Sequence, residues 1–99
     1  MAKFLMLGII LVLVPSLSYA TGKMTCDSDE SEWQPREALE AKLKAEGWKV
    51  RKSKVDGGCY EVYGTTPEDQ RVEAYFDPVT FEKLLVARRG EILFKKEAE

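Results

Sequence analysis

The chain has 99 residues, 15 Lys+Arg against 17 Asp+Glu, no histidine and two cysteines. That length fits a single domain, and a formal charge of −2 lacks the usual footprint of a nucleic-acid binder, a strongly basic face. Without histidine there is no Ser-His-Asp or Cys-His nucleophile system, no His acid or base and no His-containing zinc site; only carboxylate and lysine chemistry stay formally open.

The N-terminus reads as a targeting segment. Lys3 is followed by an unbroken apolar run of 11 residues, Phe4 to Val14, then Pro15 and Ser16-Leu17-Ser18-Tyr19-Ala20. A basic start, a short apolar core and small residues at −3 and −1 of a cut before Thr21 predict a secretory signal peptide over residues 1–20. The run falls short of the ~20 residues that span a bilayer, which disfavours an uncleaved anchor. The expected location is therefore periplasmic or secreted. The remaining 79 residues hold 14 Lys+Arg against 17 acids, a charge of −3. Export places Cys26 and Cys59 in an oxidising compartment, where an even count predicts a disulfide. They stand 33 positions apart, without the C-x-x-C spacing of a redox pair. Such a loop contributes on the order of 3–4 kcal/mol in the chain-entropy description.

Residues 21–34 form an expected flexible acidic arm, with Asp27, Asp29, Glu30 and Glu32. The cluster lacks the spacing and closing Glu of a calcium loop. Pro35 to Glu46 predicts a helix. Leu39 and Leu43 form its i, i+4 apolar stripe, Glu40 and Lys44 an outer charge pair, and Gly47 supplies the left-handed stop. From Trp48 the period becomes two. Trp48 to Val55 predicts a basic edge strand, Asp56-Gly57-Gly58 a turn, Cys59 to Tyr63 a second strand and Gln70 to Asp77 a third. Residues 81–89 fit both periods. The preceding Asp77-Pro78 turn favours a hairpin, with Lys83 to Arg88 as a fourth strand. Ile92-Leu93-Phe94 is a last apolar patch that either extends the sheet or covers the core end. Residues 95–99 are expected to fray.

The order predicts an α+β fold over residues 35–94, one N-terminal amphipathic helix packed on a three- to four-stranded antiparallel sheet. The expected core is Leu39, Leu43, Trp48, Val50, Tyr60, Val62, Val72, Ala74, Phe76 and Leu84.

The segments EGWKV (46–50), GCYEVY (58–63) and RVEAYFDPVT (71–80), in this order after a helix, resemble the PepSY domain family, in particular its small exported single-domain members. The resemblance covers about residues 35–90. One position departs from it, because family members usually carry Gly after the Thr of the D-P-x-T turn and Phe81 stands there. The resemblance implies a helix-on-sheet fold and a role outside the cytoplasm. That role is protease inhibition or chaperoning, as in protease propeptides, or binding of peptides and proteins. It implies no catalytic residues, so the chain is expected not to be an enzyme.

The sheet face away from the helix is expected to expose Glu61, Tyr63, Arg71, Glu73 and Tyr75, a candidate partner-binding face because tyrosine is enriched at hot spots. Cross-strand pairs that only stabilise the sheet are the alternative. Lys49, Arg51, Lys52 and Lys54 could meet an acidic partner or lipid headgroups, or form a solvated edge. Glu61 and Glu73 lack the burying pocket that a catalytic carboxylate pair needs. No catalytic residue, metal or cofactor is expected. The expected partner is a protein or peptide of the cell envelope, such as a protease, with no nucleic acid, and with the membrane reached only through the signal or a membrane partner. A structural or regulatory envelope component is the alternative function.

Overall fold

The computed structural model describes residues 24–97; the expected signal peptide and its cut before Thr21 lie outside the described residues. The order is a short 3-10 helix (Glu30–Glu32), α1 (Arg36–Ala45), then β1 (Lys49–Asp56), β2 (Cys59–Thr65), β3 (Arg71–Phe76), β4 (Lys83–Arg88) and β5 (Glu91–Lys95). The strands form one antiparallel sheet in sequence order, β1-β2-β3-β4-β5. The fold is α+β, with five strands where three or four were expected. The ambiguous stretch is strand, as the turn before it favours, and the Ile92-Leu93-Phe94 patch extends the sheet. β5 takes in Lys95, and the Lys96 N–H donates to the Leu84 carbonyl at 2.9 Å, so pairing reaches into the stretch expected to fray.

The helix buries Leu39 and Leu43, one turn apart on its apolar stripe. It ends in a Schellman arrangement, in which Gly47 N–H donates to Lys44 O and Trp48 N–H to Leu43 O. Its outer ion pair is Lys42–Glu46 at 2.7 Å. Glu40, expected to meet Lys44, instead accepts from the Ser53 hydroxyl of β1, which itself accepts from Arg36 Nε at 2.9 Å. The helix is thereby tied by polar contacts to the neighbouring strand.

The main core lies between helix and sheet. It joins Leu39 and Leu43 to Tyr60, Val62, Val72, Ala74, Phe76, Phe81 and Val86, with Trp33, Trp48 and Val50 packed against it. Period two places Tyr60 and Val62 of β2, and Val72, Ala74 and Phe76 of β3, on this one face. Tyr60 donates to the Gln34 carbonyl at 2.6 Å and takes the Trp33 ring edge-on at 5.6 Å. Leu84 is a correction, since it belongs to a second cluster with Cys59, Tyr75, Leu85 and Ala87. The register of β3 on β4 shifts between Tyr75 and Phe76, where Tyr75 faces Leu85 and Phe76 faces Lys83. That irregularity leaves Leu84 as the extra residue and removes it from the helix-side row.

The turn between β3 and β4 is held by Asp77, whose Oδ1 accepts from Val79 N at 2.7 Å and Thr80 N at 3.1 Å. Phe81 follows with φ +66. This is the left-handed region that favours glycine. Here the side chain is 8% exposed and packs against the Tyr60 ring, centroids 6.5 Å apart. Burial of an aromatic ring offsets the backbone cost.

Candidate functional site

The two ends of the sheet's second face differ. At one end, residues 24–26 lie across the β1–β2 hairpin. Asp56 and Cys59 pair at its base, and Gly57 and Gly58 make the two-residue turn with φ +64 and +82, as a right-twisted hairpin requires. Cys26 N–H donates to Gly57 O at 2.8 Å, and Cys26 is bonded to Cys59 with their Cα atoms 5.1 Å apart. A Cβ on Gly57 would stand 2.5 Å from Met24 O, and one on Gly58 would overlap Cys26 O. The two glycines thus let the N-terminal segment approach as well as turning the hairpin. Met24 and Cys26 pack on Cys59, Tyr75, Leu84, Leu85 and Ala87.

This covering corrects the expected face. Tyr75 is 2% exposed, in the cluster that Met24 and Cys26 pack against, and Glu61 is 1% exposed; neither is in solvent. The segment expected to be a flexible arm is also anchored further along. Asp29 caps the 3-10 helix through Ser31 N–H at 2.9 Å, and Gln34 N–H donates to Pro78 O at 2.9 Å. Sequence periodicity placed Glu61 and Tyr75 on the correct face, but could not show that a disulfide draws the N-terminal segment over it.

Burial has electrostatic consequences. Glu61 Oε1 has no hydrogen-bond partner, and Lys54 Nζ stands 3.8 Å away. Desolvation pushes the Glu61 carboxyl above its ordinary pKa, against the lowering contributions of Tyr63, Tyr75 and Lys54. Tyr75 donates to Asp56 Oδ2 at 3.0 Å. Its burial, with that bond to a carboxylate, raises the phenol above its usual range. Glu61 and Glu73 do not form a pair for acid–base work: Glu61 faces Tyr75 across the β2–β3 ladder and Glu73 faces Tyr63, and Glu73 is exposed.

The other end of the face is open. Tyr63, Arg71 and Glu73 line a groove of about 470 Å³ with Arg51, Arg88 and Arg89 along its walls. Tyr63 is half-buried, with Lys52 Nζ 4.8 Å and Lys54 Nζ 5.7 Å from its ring centroid, cation–π distances. Three of the five expected face residues therefore meet here; the other two, Glu61 and Tyr75, are buried. Arg88, at the end of β4, and Arg89, in the turn after it, join from the other side. The basic residues of β1 divide. Arg51 sits at the β-bulge between Val50 and Lys52 and enters the groove, while Lys52 and Lys54 cover Tyr63.

The sheet also has a conspicuous edge. β5 is the last strand, and Ile92, Leu93 and Phe94 are 42, 38 and 39% exposed. Lys83 Nζ lies 4.5 Å from the Phe94 ring. Among the described residues no group of acids, Cys or His could hold a metal ion, and no helix is long and apolar enough to cross a membrane.

The decisive comparison is with protein families. The sequence matches the peptidase propeptide and YPEB domain family over residues 4–85. The chain is a PepSY domain protein. No curated protein and no solved structure matches it. The matched residues include α1 through β3 and the start of β4, so the resemblance drawn from the EGWKV, GCYEVY and RVEAYFDPVT segments holds. The match ends before Arg88, Arg89 and β5. In this PepSY domain, part of the groove and the whole exposed edge therefore lie beyond the family-defining segment.

Proposed function

We propose that this PepSY protein is an exported, non-enzymatic module that binds a protein or peptide partner in the cell envelope and modulates a protease. The observation that carries the reading is the β5 edge. Folded proteins usually guard an edge strand with charge, proline or covering chain. Here three consecutive large apolar residues stand exposed on an outer strand, with charge only at its ends, Glu91 and Lys95, and over Phe94 from Lys83. An edge of this kind offers main-chain hydrogen bonds for affinity and side-chain positions for selection, the means by which sheets capture extended segments. Family membership supports a propeptide-like or inhibitor-like use. The apolar run before Ser18-Tyr19-Ala20 supports export, and the Cys26–Cys59 bond suits an oxidising compartment.

The test is capture from the cell envelope on immobilised protein, beside capture on Leu93→Lys, which places a charge on the edge. The expected result is a partner retained by the parent and lost, by about tenfold or more, from the variant. A retained protease whose activity falls on titration with the parent protein supports modulation. Equal retention by both proteins, with circular dichroism confirming that both are folded, refutes edge recognition.

A further inference from the structure

We infer that the groove at the open end of the sheet is a binding site for an acidic peptide segment in extended conformation. This goes beyond the edge reading and stands on different residues. Arg51 of β1, Arg71 of β3, Arg88 of β4 and Arg89 of the following turn line one concavity of about 470 Å³. Antiparallel pairing explains why they converge. The first half of β1, the start of β3 and the end of β4 all lie at the sheet end opposite the Gly57-Gly58 hairpin, as the pairs Lys49–Thr65, Thr65–Arg71 and Glu73–Ala87 show. Among the described residues, none of these four guanidinium groups has a carboxylate within 4.0 Å or a side-chain hydrogen bond, and all four residues are exposed. Two acids, Asp69 and Glu73, share the lining, so the groove carries about +2 on a chain whose total is −2.

Arginine's planar fork suits carboxylates and phosphates alike. Three observations favour a peptide over a phosphorylated polyanion or an anionic membrane. The net negative chain is repelled by an extended anionic surface. Glu73 on the groove floor repels a dense polyanion, but accepts hydrogen bonds from main-chain N–H groups or a basic side chain between two carboxylates. Tyr63 and Ala87 give the floor apolar area for aliphatic side-chain stems. The groove crosses from β1 to β4, three strand spacings or ~14 Å, which matches about four residues of extended chain at ~3.3 Å each. Carboxylates on alternate residues of such a segment would fall on one side, facing the arginines.

The experiment uses the purified protein with its disulfide intact and a fluorescein-labelled hexapeptide of alternating Glu and Ser, read by fluorescence anisotropy. The Gln-for-Glu peptide is the control. Saturable binding of the Glu peptide is expected, at least tenfold tighter than that of the Gln peptide and weakened by salt. Arg71→Gln and Arg88→Gln should each reduce affinity about tenfold or more, with circular dichroism unchanged. Lys42→Gln, on the far side of the helix, should leave it unaltered. No binding up to about 1 mM peptide overturns the assignment. So does equal binding of the Gln peptide, or indifference to both arginine changes. Sedimentation with vesicles containing one-third phosphatidylglycerol, in the absence of peptide binding, would overturn it in favour of a lipid surface. Leu93→Lys should leave peptide affinity unchanged, so failure of the groove and failure of the β5 edge are separately visible.

Discussion

Replacing Phe81 by Gly and by Ala should reverse the usual order of the two small residues. Phe81 has φ +66 and is 8% exposed, so two effects oppose each other. A buried Phe→Ala truncation costs about 3–5 kcal/mol through lost burial and the cavity left behind. The left-handed backbone costs any residue with a Cβ about 1–2 kcal/mol, and only glycine escapes it. Phe81→Ala loses the ring and keeps the strain, for a net loss of about 3–5 kcal/mol. Phe81→Gly loses the ring and relieves the strain. Its net loss is therefore about 1–4 kcal/mol, the difference between those two effects. Burial wins in both, so neither substitution stabilises the protein. Glycine should nevertheless be better than alanine by about 1 kcal/mol, although elsewhere alanine is the better residue because glycine has more freedom to lose on folding. Urea denaturation of the three proteins under identical conditions, fitted with a common m-value, measures the order Phe, Gly, Ala. An alanine variant as stable as the glycine variant would refute the balance described for this turn. A glycine variant more stable than the parent would show that the ring contributes little to the core.

Replacing Cys26 and Cys59 together by Ser should lower stability by about 4 kcal/mol, the chain-entropy value for their separation of 33 residues, and should raise hydrogen exchange at Tyr75 and Leu85. A loss below about 1 kcal/mol would mean that the N-terminal segment stays docked without the bond. Glu61→Gln should gain stability relative to the parent as pH rises. The folded-state pKa of Glu61 is raised by burial, so its contribution is fully present below the ordinary carboxyl pKa and is lost as pH rises through the folded value. Melting temperatures of both proteins between pH 4 and 8, on the order of the span where such a shift reads out, should diverge toward the alkaline side; parallel curves would refute the assignment. Gly58→Ala should be more damaging than Gly90→Ala. Both have positive φ, but only at Gly58 would the new Cβ meet backbone, at Cys26 O. Equal loss in thermal melts would show that φ alone matters.

Much of the frame was legible in the residues. The Leu39–Leu43 stripe, the period-two strands and the Asp56-Gly57-Gly58 turn each carry a local signal, and local signals suffice for a meander whose strands pair in sequence order. Pairing of Cys26 with Cys59 followed from export and an even count. The fifth strand was less visible because Ile92-Leu93-Phe94 has no alternation to mark a face. Leu84 went astray because a register shift is a tertiary event with no signature in spacing. Glu61 and Tyr75 were expected in solvent for a related reason. Periodicity identifies a face, but only the Cys26 tether and the Cys26–Gly57 hydrogen bond reveal what lies over it. The groove needed three strands to be assembled before Arg51, Arg71 and Arg88 could be seen as neighbours.

The central claim, recognition of an envelope partner through the β5 edge, is tested most directly by placing a photo-crosslinking amino acid at Leu93 and, in a second protein, at Lys42 on the outer side of α1. Both proteins are expressed from the full chain and irradiated in the living cell. The account predicts a discrete adduct at position 93, of a mass that identifies a second protein, and none at position 42. The same adducts at both positions, no adduct at position 93, or only a species of twice the chain's own mass would contradict it.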